Sequence, residues 1–272
     1  MKQLVYNTKK RLSLLSATTR YTFRSETAHL SNNWGNVLST CFYTISNIIF
    51  IDVLYSNVKT VAGYGRDEML LFMFIGQISY YLSWLIHQNI DWLIEIVNNG
   101  QLDLVLSRPV PSLFYITFGR VRLFSVLRDC IPPMIVLSLV IKWQNLALSP
   151  LNIGVGLLIC LMGIACAHVV HFISALPVFW IGQSSQVLDM SENIEYNIGK
   201  TIPLEGFGKK IQFFFTALVP YLISAGVATS VALGKTPATT ALIGVTIITI
   251  GALLAKQYAW SIALKAYTSA SS

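Results

Sequence analysis

The chain has 272 residues, of which 54% are hydrophobic and only 11% charged. A soluble domain carries about 25% charged residues, so these proportions exclude an ordinary globular protein and point to a polytopic membrane protein. The net charge of +7 comes mainly from single basic residues near the ends of apolar runs, where the positive-inside rule accounts for them without nucleic-acid binding.

In chain order, residues 1–33 are basic and mildly amphipathic. Leu12, Leu15 and Phe23 share a helical stripe beside Lys9, Arg11 and Arg20, which predicts a helix lying in the cytoplasmic membrane interface. The dense cluster Lys9, Lys10 and Arg11 suits contact with anionic lipid. Arg20, Arg24 and Glu26 precede any apolar run, so a cleavable signal peptide is not expected and the first span should stay as an anchor. Residues 34–272 read as a transmembrane domain. Spans are expected at 35–56, 68–89, 122–142, 151–174 and 238–258, each close to the ~20 apolar residues a crossing needs.

Between the second and third spans lies a polar island, 91–111. Leu93, Ile96 and Val97 make one apolar helical face; Leu102, Val105 and Leu106 make another. Gly100 separates the two faces, and Arg108 with Pro109 ends the second. Two short amphipathic helices at a membrane surface read this way. Asp91, Glu95, Asp103 and Arg108 would then face a soluble partner while the leucines and isoleucines hold the lipid interface. The plain alternative is a cytoplasmic loop.

The region 175–234 is open to two readings. Hydropathy prefers 211–233 as the fifth span and 181–210 as a cytoplasmic loop, which also places Lys200, Lys209 and Lys210 on the cytoplasmic side. Against it, Pro203 and Pro220 bracket 16 residues, short for a crossing and suited to a broken re-entrant element. Gly226, Ser230 and Gly234 recur every four residues, as do Gly163 and Ala167, and predict close helix packing.

Candidate chemistry is sparse. Gly199-Lys200-Thr201 and Gly234-Lys235-Thr236 mimic the end of a phosphate-binding loop, but Ile194 and Thr229 stand where its first Gly is required. His168 and His171 share a helix face, with no carboxylate or Cys at matching spacing, so satisfied histidines are expected rather than metal ligands. Cys41, Cys130, Cys160 and Cys166 lie in or near apolar runs without metal spacing and read as plain thiols. Gln183, Gln186, Asp189, Glu192, Asn193, Glu195 and Asn197 form a polar cluster that is either a span lining a path or subunit seam, or a solvated loop. Arg128 and Asp129 are a second candidate. Neighbours on a helix do not face each other, so Arg128 needs a partner elsewhere or must snorkel to the inner surface, the cheaper of the two.

The stretch 95–110, with Gly100, Leu102, Asp103, Arg108 and Pro109, resembles the segment after the second span of type-2 ATP-binding-cassette (ABC) exporter permeases. Ala62-Gly63-Tyr64 followed by Glu68-Met69-Leu70, then Pro203 with 211–220, and finally 260–270 resemble further segments of one subfamily, in order. Ala263, Ser271 and Ile202 depart from its pattern. The resemblance implies an all-α permease with six transmembrane helices, both termini cytoplasmic, in a bacterial inner membrane. It implies a coupling helix after span 2, a polar fifth span at 175–198, and an external re-entrant hairpin over 203–234. It further implies a second permease, typically a different homologous chain, and two copies of a separate ATPase that carries ATP and Mg; this chain holds no cofactor. Asp91, Glu95, Gly100, Leu102, Asp103, Arg108 and Pro109 would couple to the ATPase. Gln186, Asp189, Glu192 and Asn193, with Arg128 and Asp129, would line the path or the subunit seam. The rivals are a non-transporting membrane scaffold and a channel or secondary transporter. The latter would favour charged pairs at mid-membrane, whereas the charge here is concentrated at 91–128. Lipids, glycans, peptides and small toxic molecules all remain open as substrates.

Overall fold

A computed structural model describes residues 2–27 and 34–267 of the chain, with side chains from Ser13 onward. Among these residues the structure is all-α: α1 (Lys2–Thr27), α2 (Trp34–Asn57), α3 (Arg66–Asn98), α4 (Leu102–Leu106), α5 (Ser112–Phe118), α6 (Leu123–Val140), α7 (Pro150–Ala175), α8 (Val178–Ile181), α9 (Ser185–Ile194), α10 (Lys209–Phe213), α11 (Ala228–Ala232) and α12 (Ala238–Ala266). The stripe residue Leu12 and the cluster Lys9 to Arg11 lie outside the described side chains. Five helices are long and apolar enough to cross a membrane: α2, α3, α6, α7 continued by α8, and α12. They coincide with five of the six expected spans; neither 175–198 nor 211–233, the two candidates for the fifth, is one straight crossing helix among the described residues.

Local chemistry sets the ends of these helices. Before α3, Val61 and Tyr64 exchange backbone hydrogen bonds of 3.0 and 2.9 Å, closing a turn in which Gly63 takes a φ of +79°. The Glu68 carboxylate then accepts from the Gly65 N–H at 2.8 Å, satisfying a donor the first helical turn leaves free. At the other end of α3, Gly100 has φ +67°. Its N–H reaches the Val97 carbonyl, and the Gln101 N–H reaches that of Ile96, the paired bonds of a Schellman stop. In α7, Ser149 accepts from the Asn152 N–H at 3.2 Å and Pro150 occupies the first turn, where its missing N–H costs nothing.

α7 is the central post. α12, α3 and the segment 223–232 all pack on it. Close approach is possible because Gly163 lies against the backbone of Ile223 and Ser224, and Gly156 against Ala228. The small residues of span 4 thus do what their spacing predicts. Gly226 and Ser230 instead face the short 3-10 turn Leu204–Gly206, so this second seam accommodates a single tight turn rather than a long helix.

The segment 211–233 is not one straight helix. The pair Lys209–Leu218 and Ile223–Ala232 is bent by 106° at its break, where Pro220 removes a helical hydrogen bond. Both arms contain π-helical turns, as does the end of α9 at Glu195–Gly199.

The polar island also differs from expectation. Residues 91–98 are not a separate surface helix but the last two turns of α3, whose 33 residues reach about 50 Å. Leu93, Ile96, Leu102 and Val105 do not hold a lipid interface. They are buried in one cluster with Ile90, Phe172, Leu176, Leu188 and Trp260, drawn from α3, α7, the α7–α8 junction, α9 and α12. The α4 end of the bundle is therefore a packed core.

Candidate functional site

A groove runs along the bundle, floored by α3 and walled by α2 on one side and by α9 with its following segment on the other. Towards the end away from α4 it widens into a chamber of about 780 Å³ lined by Tyr43, Phe50, Met73, Gln77, Lys200 and Glu205 among others. Beside α9 it continues as a smaller recess of about 330 Å³, between Trp84, His87, Asp189, Glu192 and Asn193. A third cleft of about 600 Å³ opens between α1, α2, α3 and α6. Tyr80 lines all three. Its ring meets those of Tyr196 and Trp84 edge-on at 5.9 and 6.0 Å. Above it the Tyr196 hydroxyl donates to that of Tyr43, bridging α2 to the π turn and closing the groove at its waist.

Behind this waist lies a buried ionic cluster. Glu195 and Lys200 form an ion pair at 3.0 Å, with 9% and 7% of their side chains exposed. The other Glu195 oxygen meets His171 Nε2 at 2.7 Å. His171 Nδ1 meets Ser191 Oγ at 3.0 Å, and Ser191 hydrogen-bonds the Tyr221 hydroxyl. His87 packs on His171 with ring centroids 4.9 Å apart and reaches Glu192 at 2.6 Å. Lys200 also sits 4.2 Å from the centre of the Tyr80 ring. Burying charges costs several kcal/mol per ion unless every partner is in place; here α3, α7, α9 and the bend at 219–222 supply the partners. Gly199 permits this, because a Cβ there would stand 2.7 Å from the Tyr221 carbonyl oxygen. A further buried basic group, Lys256 of α12, meets neutral groups: Thr117 Oγ1 at 2.7 Å, His168 Nε2 at 3.1 Å and the Phe172 ring at 4.5 Å.

Several expectations are corrected here. His171 does have a carboxylate, supplied by α9 rather than by its own helix. It is a satisfied histidine, and no metal-ligand group of three His, Cys, Asp or Glu occurs among the described residues. Arg128 does not snorkel unpaired. Its guanidinium folds along the helix and grips Asp129 through two bonds, 2.6 and 2.7 Å, because an Arg side chain is long enough to reach a neighbour whose Cα–Cβ bond points elsewhere. Charge is not confined to 91–128 either, since the Glu195–Lys200 pair lies inside the bundle. Of the predicted path residues, Asp189, Glu192 and Asn193 line the recess beside α9, and Arg128 and Asp129 line the third cleft. Gln186 is exposed and lines none of these cavities. Sequence reasoning missed His87, Lys200, Tyr221 and Lys256. His87 and Asn89 were visible as polar interruptions of an apolar run; Lys200 and Lys256 were visible only as charges near span ends. Cys160 and Cys166 are buried, and all four thiols are free.

At the α4 end the predicted coupling residues sit together. Asp91, Glu95, Asp103, Arg108 and Pro109 are exposed, while Leu102 is fully buried and Gly100 makes the turn between them. Arg108 lies 4.5 Å over the Tyr115 ring, and Arg120 4.5 Å over that of Trp92. Asn89 ties α5 to α3, donating to the carbonyls of Thr117 and Arg120 at 3.2 and 2.8 Å and accepting from the Arg120 N–H at 2.9 Å. Burial, and then the Asp103 carboxylate beside it, push the Tyr267 phenol above its ordinary range.

Fold and groove together define a multi-pass helical membrane protein with a polar interior and a charged, solvent-facing end. Residues 41–271 match the family described as ABC-2 family transporter protein. The chain belongs to that family: it is a membrane permease of an ABC transporter, a transport component rather than an enzyme, of a kind that associates with an ABC ATPase. No curated protein and no solved structure matches it.

Proposed function

We propose that this chain is the permease subunit of an ATP-driven exporter, forming its substrate path with a second, homologous permease and driven by two copies of a separate ATPase. One observation carries the reading: the last turns of α3 and the α4 that follows present Asp91, Glu95, Asp103 and Arg108 outward, while Leu93, Ile96, Leu102 and Val105 are sealed among the ends of α3, α7, α9 and α12. Through Leu102 and Val105 a push on α4 passes into four helices at once, including the three that bear the ionic cluster. ATP-driven closure of the ATPases would shift the helices lining the groove, part Tyr43 from Tyr196, and open the path. A motor shifts such an equilibrium only through its differential affinity for the two states.

In this scheme the α4 end is cytoplasmic, in a bacterial inner membrane with both termini on that side. The fifth crossing, expected at 175–198, then lies further along the chain, at 185–206: α9 with its π turn, followed by the strip with the 3-10 turn Leu204–Gly206 along α11. The bent pair 209–232 is an external re-entrant hairpin whose tip, at Tyr221, meets the histidines. Asp189, Glu192 and Asn193 line the path, Gln186 lies at the subunit seam, and Arg128 and Asp129 stand in the cleft joined to the path at Tyr80. The buried Glu195–Lys200–His171 cluster also suits a secondary transporter that moves protons through such groups. That reading requires no ATPase contact.

The deciding experiment is affinity purification in mild detergent of the wild type and of E95K/D103K. The proposal expects an ATPase to come down with the wild type and to be lost from the variant. Wild type without an ATPase would sink it and promote the alternative.

A further inference from the structure

The cleft between α1, α2, α3 and α6 has a chemistry unlike the rest of the groove. Two ion pairs border it: Arg122 with Glu26, and Arg128 with Asp129. The side chains of Glu26, Arg128 and Asp129 are 10%, 13% and 20% exposed and that of Arg122 37%, so three of the four groups are sequestered and Arg122 stands at the mouth. Among the described residues, hydrogen bonds engage one N–H of Arg122 and two of Arg128. Each guanidinium carries five donors, so further N–H groups can face a ligand. Asn36, Ser39 and Gln88 add neutral polar groups, Ser125 donates to Glu26 from its hydroxyl and its N–H at 2.9 and 3.2 Å, and Tyr81 and Trp84 add aromatic walls.

The depth of the cleft is set by α6. Arg122 caps its first turn, and Arg128 stands about 9 Å further along the axis. With α6 taken as a membrane crossing, its first turns lie at the α4-side interface, where Tyr and Trp collect. The roof is α1, held to the chain around α6 by the bond from the Thr22 hydroxyl to the Val121 carbonyl, 2.6 Å, and by the Phe23–Phe124 ring contact. Beside the cleft, α2 exposes Leu38 and Phe42, 69% and 74%, an apolar wall along which acyl chains can lie.

From this geometry we infer that the cleft is a binding site for the headgroup of a zwitterionic membrane phospholipid with a primary ammonium, the chemistry of phosphatidylethanolamine. The phosphodiester accepts from further N–H groups of Arg122 and Arg128. The ammonium donates to Glu26 and Asp129. Two cations and two carboxylates in one cleft cancel, so a headgroup of one net sign has no advantage, whereas adjoining opposite charges match the site. Bound there, the lipid links the interfacial helix α1 to α3 and α6. The inference concerns lipid binding alone and stands apart from whether an ATPase drives the protein.

The test uses the full chain, purified in mild detergent and stripped of lipid. It is offered phosphatidylethanolamine, phosphatidylcholine or phosphatidylglycerol with identical acyl chains, and retained lipid is counted by native mass spectrometry. Phosphatidylcholine lacks the N–H donors and phosphatidylglycerol lacks the cation. Losing one charge-assisted contact should weaken retention about tenfold, so phosphatidylethanolamine should be favoured by that factor over both. R128Q should erase the preference. S39L, which fills the cleft and leaves both ion pairs intact, should reduce retention of phosphatidylethanolamine itself. Equal retention of the three lipids by the wild type, or S39L behaving as wild type, overturns the proposal. So does inorganic phosphate that displaces the lipid at matching concentration, which would make this a free-anion site.

Discussion

Glu195 and Lys256 are both buried ionisable groups, and their surroundings predict opposite outcomes. Glu195 balances Lys200 and bonds His171. E195Q leaves Lys200 without its counter-charge, which costs about 3–5 kcal/mol for a buried pair. The thermal unfolding midpoint in detergent should fall accordingly, and adding K200M should restore part of the loss, a coupling that a double-mutant cycle measures. Lys256 meets a hydroxyl, an imidazole and the Phe172 ring, none of which balances its charge. K256M keeps the volume and removes an isolated charge, so the midpoint should hold or rise. The sequence marked Glu195 as polar within a doubtful span. It could not mark its partners, because ion pairs between residues on different helices depend on which faces the bundle turns inward.

At the scale of elements, the contact of α7 with the returning arm 223–232 decides whether the bend survives. A Cβ at Gly163 would collide with the backbone of Ile223 and Ser224; at Gly156 it would stand 3.0 Å from the Ala228 carbonyl; at Gly154 it meets nothing within 4 Å. Overpacking costs about 1–3 kcal/mol. Loss of thermal stability should therefore rank G163A above G156A, with G154A near neutral. A different order would mean that the arm is not seated on α7 in the membrane. The small-residue spacing of span 4 was readable in advance because it depends only on helical periodicity. The bend was half-readable: Pro220 announced a break, but its angle of 106° follows from what lies on either side.

For the whole molecule, the two readings of 175–234 place Lys209 on opposite sides of the bilayer. The bundle sets Lys209 away from the α4 end, in the strip that follows the passage of 203–206 along α11. In a background without native cysteines, E95C and K209C should be labelled by a membrane-impermeant maleimide from opposite sides. Labelling of both from the same side would restore a straight fifth span at 211–233 and remove the external hairpin. The charge distribution favoured that simpler topology. It misleads here if Lys200 lies buried beside Glu195, since a paired charge inside the bundle no longer reports a side.

Sequence alone determined the class of this protein, its five apolar helices and its family segments, because hydrophobic length and helical period are properties of neighbours along the chain. It also marked 91–108 as an unusual segment with charge on one face. Only the tertiary structure decided that the apolar face of that segment is welded into the bundle, that Arg128 closes on Asp129, and that Glu195, Lys200, His171, His87 and Glu192 meet behind a tyrosine bridge. Those contacts join residues as far apart as 105 positions. Burial makes each of them obligatory, since a charge shut away from water is tolerated only where another element brings its partner.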